Sequence, residues 1–188
     1  MPRSHQYHLG NAFDTVASHS YQCSVIAYVL SQMEGLSHKD GLKCVSMALF
    51  HDLVEARTGE IGFIAKHYVK IDENKALTKQ VEGIKFGQNI KSLFDEYERQ
   101  ETRIAKIVKD ADSLTQIYTE WVMMWQGHKL AQKWFESDFN DRVPAMNTAS
   151  AKKIVYLMKE SNPNEWWWSE LMENDAAIDK DRLLGMKK

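Results

Sequence analysis

Two histidines and two aspartates are spaced so that they could share one divalent cation: His19, the adjacent pair His51-Asp52, and Asp112. Each lies where a helical pattern faces the core, and a buried charge or imidazole without a partner is costly. Two imidazoles and two carboxylates form a mixed nitrogen and oxygen shell, which suits Mn²⁺, Fe²⁺, Co²⁺, Ni²⁺ or Zn²⁺ better than Ca²⁺. Such an ion lowers the pKa of a water that it binds and polarises a phosphoryl oxygen.

Helices are predicted to position these residues. Apolar residues recur at helical spacing over residues 15–33, and His19 lies on that stripe four residues before Cys23. A second helix is predicted over residues 39–54, so that the His51-Asp52 pair falls near its end. The longest run, residues 101–129, carries Asp112 close to its apolar face.

Further helices are predicted over residues 76–97, 149–159 and 165–173, and residues 63–75 are predicted to be irregular. No strand-like alternation, repeat or linker is visible. The sequence therefore predicts an all-α bundle of roughly seven to nine helices. We expect one domain over residues 1–188, with core motifs at 15–130, C-terminal helices at 148–174 and a frayed tail at 175–188.

Composition excludes several classes of protein. The chain is 44% hydrophobic and 27% charged, with only 9 Gly and 3 Pro, which is typical of a folded helical protein. A net charge of −2 with dispersed Lys and Arg gives no footprint for duplex nucleic acid. Cys23 and Cys44 lie in apolar stretches and are interpreted as reduced core residues. Without a long apolar segment or a signal-peptide pattern, we expect a cytoplasmic protein that does not bind membranes.

Three segments resemble the HD-domain metal-dependent phosphohydrolases, and most closely their 5′-deoxynucleotidase branch. They are residues 15–21 (TVASHSY), 48–61 (ALFHDLVEARTGEI) and 108–114 (VKDADSL). These are similar to the segments ESVAEHS, ALxHDxxExxTGDI and VKxADxL of that branch. The resemblance extends from about residue 3 to residue 130, and three motifs in order at these spacings are far more specific than an isolated His-Asp pair.

The resemblance implies a helical HD domain with one divalent cation, from among Mn, Co, Fe, Ni, Zn and Mg. Its ligands would be His19, His51, Asp52 and Asp112. Glu55 matches the acid that orients or deprotonates the attacking water, beside the catalytic metal ligand Asp52. A carboxylate three residues beyond Asp52 on one helix face is well placed for that task.

The substrate side is also implied by the resemblance. Arg3 lies where the family has a phosphate-binding arginine, and its planar fork of donors suits a phosphate. Glu60 matches an acidic position near the sugar, and Thr58 is predicted to donate a hydrogen bond there. Relatives follow the arginine closely with a tryptophan, whereas this chain has Ser4-His5-Gln6-Tyr7. This difference lies on the substrate side of the site and leaves the four metal ligands unchanged.

The leading hypothesis is a metal-dependent phosphatase of (deoxy)ribonucleoside 5′-monophosphates. Two alternatives stay open: an HD phosphohydrolase with another nucleotide substrate, and a non-catalytic metal-stabilised scaffold or sensor. Binuclear members of the family that act on cyclic dinucleotides carry extra histidines between the His-Asp pair and the last Asp. This chain has only His67 in that interval, which argues against a binuclear site. Relatives commonly form dimers, so a homodimer is expected. Glu55 favours an enzyme over a scaffold.

Overall fold

The computed structural model describes residues 3, 9–10 and 14–169. Within them lie eight α-helices of four residues or more: α1 (Val16–Met33), α2 (His38–Phe50), α3 (Glu55–Thr58), α4 (Glu73–Gln80), α5 (Gly87–Arg99), α6 (Arg103–Trp125), α7 (Lys129–Ser137) and α8 (Ala149–Lys159). Shorter turns are the 3-10 turn Ala65–His67, the π turn Asp138–Arg142, and the helical turns Val143–Ala145 and Glu165–Trp167. No strand occurs in this part of the chain, which confirms the all-α prediction. The predicted tail at 175–188 lies outside the described residues.

Side-chain caps fix where the central helices begin. The Thr15 hydroxyl accepts from the Ser18 amide at 3.1 Å, and the Ser18 hydroxyl returns a bond by accepting from the Thr15 amide at 2.9 Å. This reciprocal capping box starts α1 at the position that the sequence predicts. Thr102 caps α6 in a similar way by accepting from the Ala105 amide at 3.1 Å.

The main core lies between α1, α2 and α6. Small residues at the helix contacts allow close approach, and Leu30, Met47 and Ile107 fill the space between them. The fully buried apolar residues of these three helices are Cys23, Ala27, Leu30, Cys44, Met47, Ala48, Ala105, Ile107, Val108, Ala111 and Ile117. Cys23 and Cys44 are both buried free thiols, as predicted. No described helix has the length and apolarity needed to cross a bilayer.

The predicted helix over residues 39–54 is wrong at its end, because α2 stops at Phe50. The Leu53 amide bonds the Phe50 carbonyl at 3.2 Å, and the Glu55 amide bonds the Asp52 carbonyl at 3.0 Å. These i→i+3 bonds replace the α-helical i→i+4 pattern at this point. His51 and Asp52 therefore lie in a turn after α2, and Glu55 begins the separate helix α3.

The predicted helix over residues 76–97 is also interrupted. Gly83 has a φ of 79°, a left-handed value that side chains rarely adopt, and it separates α4 from α5. The two helices pack on the segment after α2 through a second cluster that includes Val54, Leu77 and Phe94. Helix α7 was not predicted, whereas α8 has the predicted bounds of residues 149–159.

Candidate metal centre and active-site cavity

The structure brings together one ligand atom from each of His19, His51 and Asp112, all within 4.8 Å of one another. His19 Nε2 lies 3.4 Å from His51 Nε2 and 3.2 Å from Asp112 Oδ1. His51 Nε2 lies 3.8 Å from the same Asp112 oxygen. Because α1, the turn directly after α2, and α6 each supply one of these side chains, the packing of the main core determines the geometry of the cluster.

Asp52 lies against the two histidines. Its Oδ1 is 3.3 Å from His51 Nε2, and its Oδ2 is 3.4 Å from His19 Nε2. The Oδ2 atom also accepts a hydrogen bond from Arg3 Nη1 at 2.8 Å. Asp52 is therefore in position to complete a shell of two nitrogen and two carboxylate ligands, with Arg3 directly beside it.

In both histidines the Nδ1 atom, which faces away from the cluster, is hydrogen-bonded to an oxygen acceptor. His51 Nδ1 lies 2.7 Å from the Ala48 carbonyl oxygen, which can only accept, so this nitrogen carries the proton. The Thr115 hydroxyl donates to the Asp112 carbonyl at 2.6 Å and therefore accepts from His19 Nδ1 at 2.9 Å. In their neutral forms both rings then present Nε2 lone pairs to each other.

The two facing Nε2 atoms and the acceptors behind them indicate whether these residues suit a metal ion. Two Nε2 lone pairs 3.4 Å apart repel unless a proton or a cation lies between them. Histidine metal ligands characteristically donate their other ring nitrogen to a carbonyl or similar acceptor, as both do here. The donor set thus fits a divalent transition metal or zinc.

Charge within the cluster is consistent with that fit. Burial opposes a charged His51, but the carboxylates of Asp52 and Asp112 outweigh it and raise the pKa of His51 to about 9. For His19 burial is the stronger influence and lowers the pKa. Burial would raise the pKa of Asp112, yet hydrogen bonds from His19 and His51 and nearby positive charge hold it well below its usual range. Asp112 is accordingly a carboxylate ready to bind a cation.

Two groups orient the outer oxygen of Asp112. The Tyr97 hydroxyl donates to Asp112 Oδ2 at 2.9 Å, and Lys109 Nζ donates to the same atom at 3.0 Å. The Tyr97 ring also packs edge-on against His51, with ring centroids 5.1 Å apart. Asp112 Oδ1 is consequently left pointing at the two imidazoles.

A cavity of about 510 Å³ opens beside this cluster, and Asp52, Glu55 and Asp112 are among the residues that line it. Glu55 Oε2 is buried and has no hydrogen-bond partner among the described residues. Burial, with the neighbouring Asp52 and Glu60 carboxylates, raises the pKa of Glu55 to about 8. A buried carboxylate without a donor, facing a cavity beside a cation site, is an available proton acceptor.

The predicted substrate residues have different surroundings. Arg3 and Glu60 both line the cavity, and Arg3 Nε lies 3.9 Å from Glu60 Oε2. Asp14 is 3.8 Å from the same Arg3 nitrogen, so acids on several sides hold the guanidinium in place. Thr58 is not among the residues that line the cavity. Its hydroxyl donates to the carbonyls of Gly59 at 3.0 Å and Val54 at 3.3 Å, which gives its predicted contact with substrate no support.

Sequence reasoning did not assign roles to Thr115, Tyr97 and Lys109. Thr115 was visible as a hydroxyl on the apolar stripe of α6, three residues after Asp112. A buried hydroxyl needs a partner, and that requirement was the signal available. Tyr97 comes from α5, fifteen residues before Asp112, and nothing local in the sequence indicates their contact.

Comparison with known proteins agrees with this geometry. Residues 1–155 match the family model of the HD domain. The chain is similar to the 5′-deoxynucleotidase HDDC2 of Dictyostelium discoideum, with 27% identity over 130 residues that cover 64% of this chain and 68% of that protein. A protein in a genomics crystal structure is 28% identical with a TM-score of 0.66, covering 88% of this chain and 89% of that one. A conserved hypothetical protein of Pyrococcus furiosus, 24% identical, shares the fold with a TM-score of 0.69 over 85% of this chain and 92% of its own.

Proposed function

The chain belongs to the HD-domain family, and from that premise we propose that it is a metal-dependent phosphohydrolase of nucleoside 5′-monophosphates, with 2′-deoxynucleotides as first candidates. The observation that carries the proposal is the convergence of His19, His51 and Asp112 beside a cavity that Asp112 lines and that is large enough for a nucleotide. The name of the similar Dictyostelium protein, a 5′-deoxynucleotidase, supports the choice of substrate.

We assign His19, His51, Asp52 and Asp112 as the ligands of one divalent cation. A bound Mn²⁺, Fe²⁺, Co²⁺, Ni²⁺, Zn²⁺ or Mg²⁺ ion supplies positive charge that polarises the phosphoryl group and makes water more acidic. The ligands are held by the protein itself, through the Ala48 carbonyl behind His51 and the Thr115 hydroxyl behind His19. Little reorganisation is then needed when substrate arrives, which is the main source of rate enhancement in phosphoryl transfer.

Glu55 is assigned as the general base. It receives the proton of the attacking water at Oε2, the buried oxygen that has no hydrogen-bond partner among the described residues. Burial and neighbouring carboxylates raise the pKa of Glu55 in the ion-free protein to about 8. The positive charge of a bound cation would favour the ionised form of Glu55, which can then accept a proton. In-line attack of that water on phosphorus breaks the bond to the 5′-oxygen, which takes up a proton, so the products are inorganic phosphate and a nucleoside.

Arg3 is assigned to a phosphate oxygen. Its Nη1 atom already lies 2.8 Å from the ligand Asp52, so a phosphate beside the cation is within reach of the rest of the guanidinium fork. Glu60 lies next to Arg3 and either orients it or accepts from a sugar hydroxyl. A homodimer and a cytoplasmic location stay predictions from the sequence.

The decisive experiment separates this proposal from its alternatives. The protein is dialysed against a chelator, Mn²⁺, Co²⁺ or Mg²⁺ is added back, and phosphate release is followed from the ribo- and deoxyribonucleoside 5′-monophosphates. We expect metal-dependent release that Asp52→Ala abolishes together with metal binding. A metal-dependent rise in melting temperature without release from any nucleotide would instead indicate a scaffold or sensor. Hydrolysis of only diphosphate or cyclic nucleotides would indicate another phosphohydrolase.

A further inference from the structure

The cavity continues beyond the metal centre along helix α6. Asp112, Gln116 and Glu120 recur every four residues on one helix face, and all three line the cavity. At a rise of 1.5 Å per residue, Glu120 is about 12 Å along the axis from Asp112. That distance is comparable with the span of a sugar and a base together. A phosphate and a cation would fill only the Asp112 end of a cavity of about 510 Å³.

An ordered polar network forms the far end. Arg142 Nη1 donates to Gln116 Oε1 at 3.0 Å, and Arg142 Nε lies 3.3 Å from Asp138 Oδ2. Gln116 Nε2 donates to Glu120 Oε1 at 3.1 Å and to Asp138 Oδ2 at 3.2 Å. Because both ends of the Gln116 amide are engaged, it fixes Arg142 and Asp138 relative to α6 and therefore relative to the metal centre.

The backbone at this end is unusual. Asp138 and Arg142 are the first and last residues of the π turn. Turns of this kind are rare, cost regular hydrogen bonding and occur frequently at functional sites. Here the turn places a carboxylate and a guanidinium together on the cavity wall, and the indole of Trp134 on α7 lines the wall beside them.

We propose that this far end, formed by Gln116, Trp134, Asp138 and Arg142, binds the nucleobase of the substrate; this rests on the proposed function. Arg142 uses Nε and Nη1 in the network, and no hydrogen bond within the described residues engages its Nη2. Nη2 can therefore donate to a carbonyl oxygen of a base. Asp138 can accept from a ring N–H, and Trp134 offers an aromatic face for stacking.

The pairing of donor and acceptor defines the substrate class. Guanine and thymine present a carbonyl oxygen beside a ring N–H, so they match Arg142 and Asp138 at the same time. Adenine and cytosine present an amino group beside an unprotonated ring nitrogen. In the same orientation they place a donor opposite the donor Arg142 and an acceptor opposite the acceptor Asp138, so neither hydrogen bond forms. The site is thus expected to favour dGMP and dTMP over dAMP and dCMP.

The test compares kcat/KM for these four nucleotides with that for 2-deoxyribose 5-phosphate, which lacks a base. One matched side-chain pair is worth about 1–3 kcal/mol of discrimination, so we expect wild type to prefer dGMP and dTMP by about tenfold. Arg142→Met should remove that preference, and the kcat/KM ratio of dGMP to the sugar phosphate should fall by a similar factor. Asp138→Asn, which turns an acceptor into a donor, should reduce the same ratio.

Arg99→Met is the matched control, since Arg99 is 59% exposed and pairs with Glu101 away from the cavity. Its substrate ratios should equal those of wild type. Melting curves followed by circular dichroism verify that each variant is folded. If Arg142→Met does not fold, the substrate ratios of Asp138→Asn test the proposal instead. Metal-dependent hydrolysis of all four nucleotides with equal kcat/KM would overturn the base site and leave the proposed function intact. Absence of phosphate release from every substrate would overturn both.

Discussion

Helix α6 carries aspartates on two faces, and their surroundings differ completely. Asp110 is buried and accepts four hydrogen bonds from two residues before α8. Its Oδ1 accepts from the Asn147 amide and side chain, both at 3.0 Å, and its Oδ2 accepts from the Thr148 amide at 2.7 Å and hydroxyl at 2.8 Å. Asp112, two residues later, points Oδ1 at the imidazoles of His19 and His51 instead.

Residues two positions apart on an α-helix point about 200° apart around its axis. Asp110 and Asp112 therefore face different surroundings. The protein itself satisfies Asp110, which therefore fastens the start of α8 to α6. Asp112 directs its inner oxygen at the Nε2 atoms of His19 and His51, where a cation can replace the proton that His51 carries in the ion-free protein. A buried carboxylate whose oxygens are all hydrogen-bonded within the protein, like that of Asp110, stabilises the fold. A carboxylate that faces two histidine nitrogens, like that of Asp112, is suited to bind a cation together with them.

The largest effect is expected for Asp112→Asn. Removing this charge should abolish metal binding and reduce phosphate release to background, because the cluster loses one of the two carboxylates that approach both histidines. In chelator above about pH 9, where His51 is neutral, the free energy of unfolding should change little, whereas at lower pH the variant also loses the interaction of Asp112 with protonated His51. Calorimetric metal titration and denaturant melts measure the two effects. Retained tight metal binding would show that Asp112 is not a ligand.

Asp110→Asn is expected to have the opposite profile. An amide cannot accept at both former oxygens, so donors of Asn147 or Thr148 are left unpaired and stability should fall by about 2–4 kcal/mol. Phosphate release per folded molecule should persist, since Asp110 contacts no residue of the metal cluster in the described structure. Urea denaturation measures the loss. A variant as stable as wild type but inactive would reverse the roles assigned to the two aspartates.

Glu55→Gln tests a residue of the cavity that is assigned neither a structural role nor a role as a metal ligand. We expect kcat to fall by about 10²-fold, the usual scale for a general base, with metal affinity retained. Steady-state kinetics at saturating metal give the comparison. Normal turnover would remove Glu55 from the mechanism while leaving the family assignment untouched.

Thr115→Val probes the support behind His19. The substitution keeps the shape of the side chain but removes the acceptor for the Nδ1 proton, so metal affinity should weaken by about 10–100-fold. Thr115→Ser keeps a hydroxyl and serves as the matched control, with affinity close to wild type. Equal losses in both variants would point to packing as the cause.

The smallest effect per unit step is a pH dependence. In the ion-free protein the pKa of His51 is raised from 6.5 to about 9, and a cation must displace that proton. Metal affinity should therefore rise by up to tenfold per pH unit below about pH 9 and then level off. The same shift stabilises the ion-free fold fully below pH 6.5, and that contribution is lost as pH rises to about 9. Isothermal titrations with metal at several pH values check the sign.

The sequence alone determined the features that depend on near neighbours along the chain. Apolar periodicity located α1, α6 and α8, because the buried face of a helix needs apolar residues at regular spacing. The three motifs identified the family through residues that recur at fixed separations. His19, His51 and Asp112 could be chosen in this way, and the structure brings them together.

Only the tertiary structure decided which groups surround those residues. The turn that ends α2 at Phe50, the break at Gly83 and the separate helix α7 depend on packing against distant segments, which local propensity does not record. Asp110 and Asp112 look alike in the sequence. Their different roles follow from contacts with α8 in one case and with α1 and α2 in the other, so physical chemistry assigns them only after the helices have met.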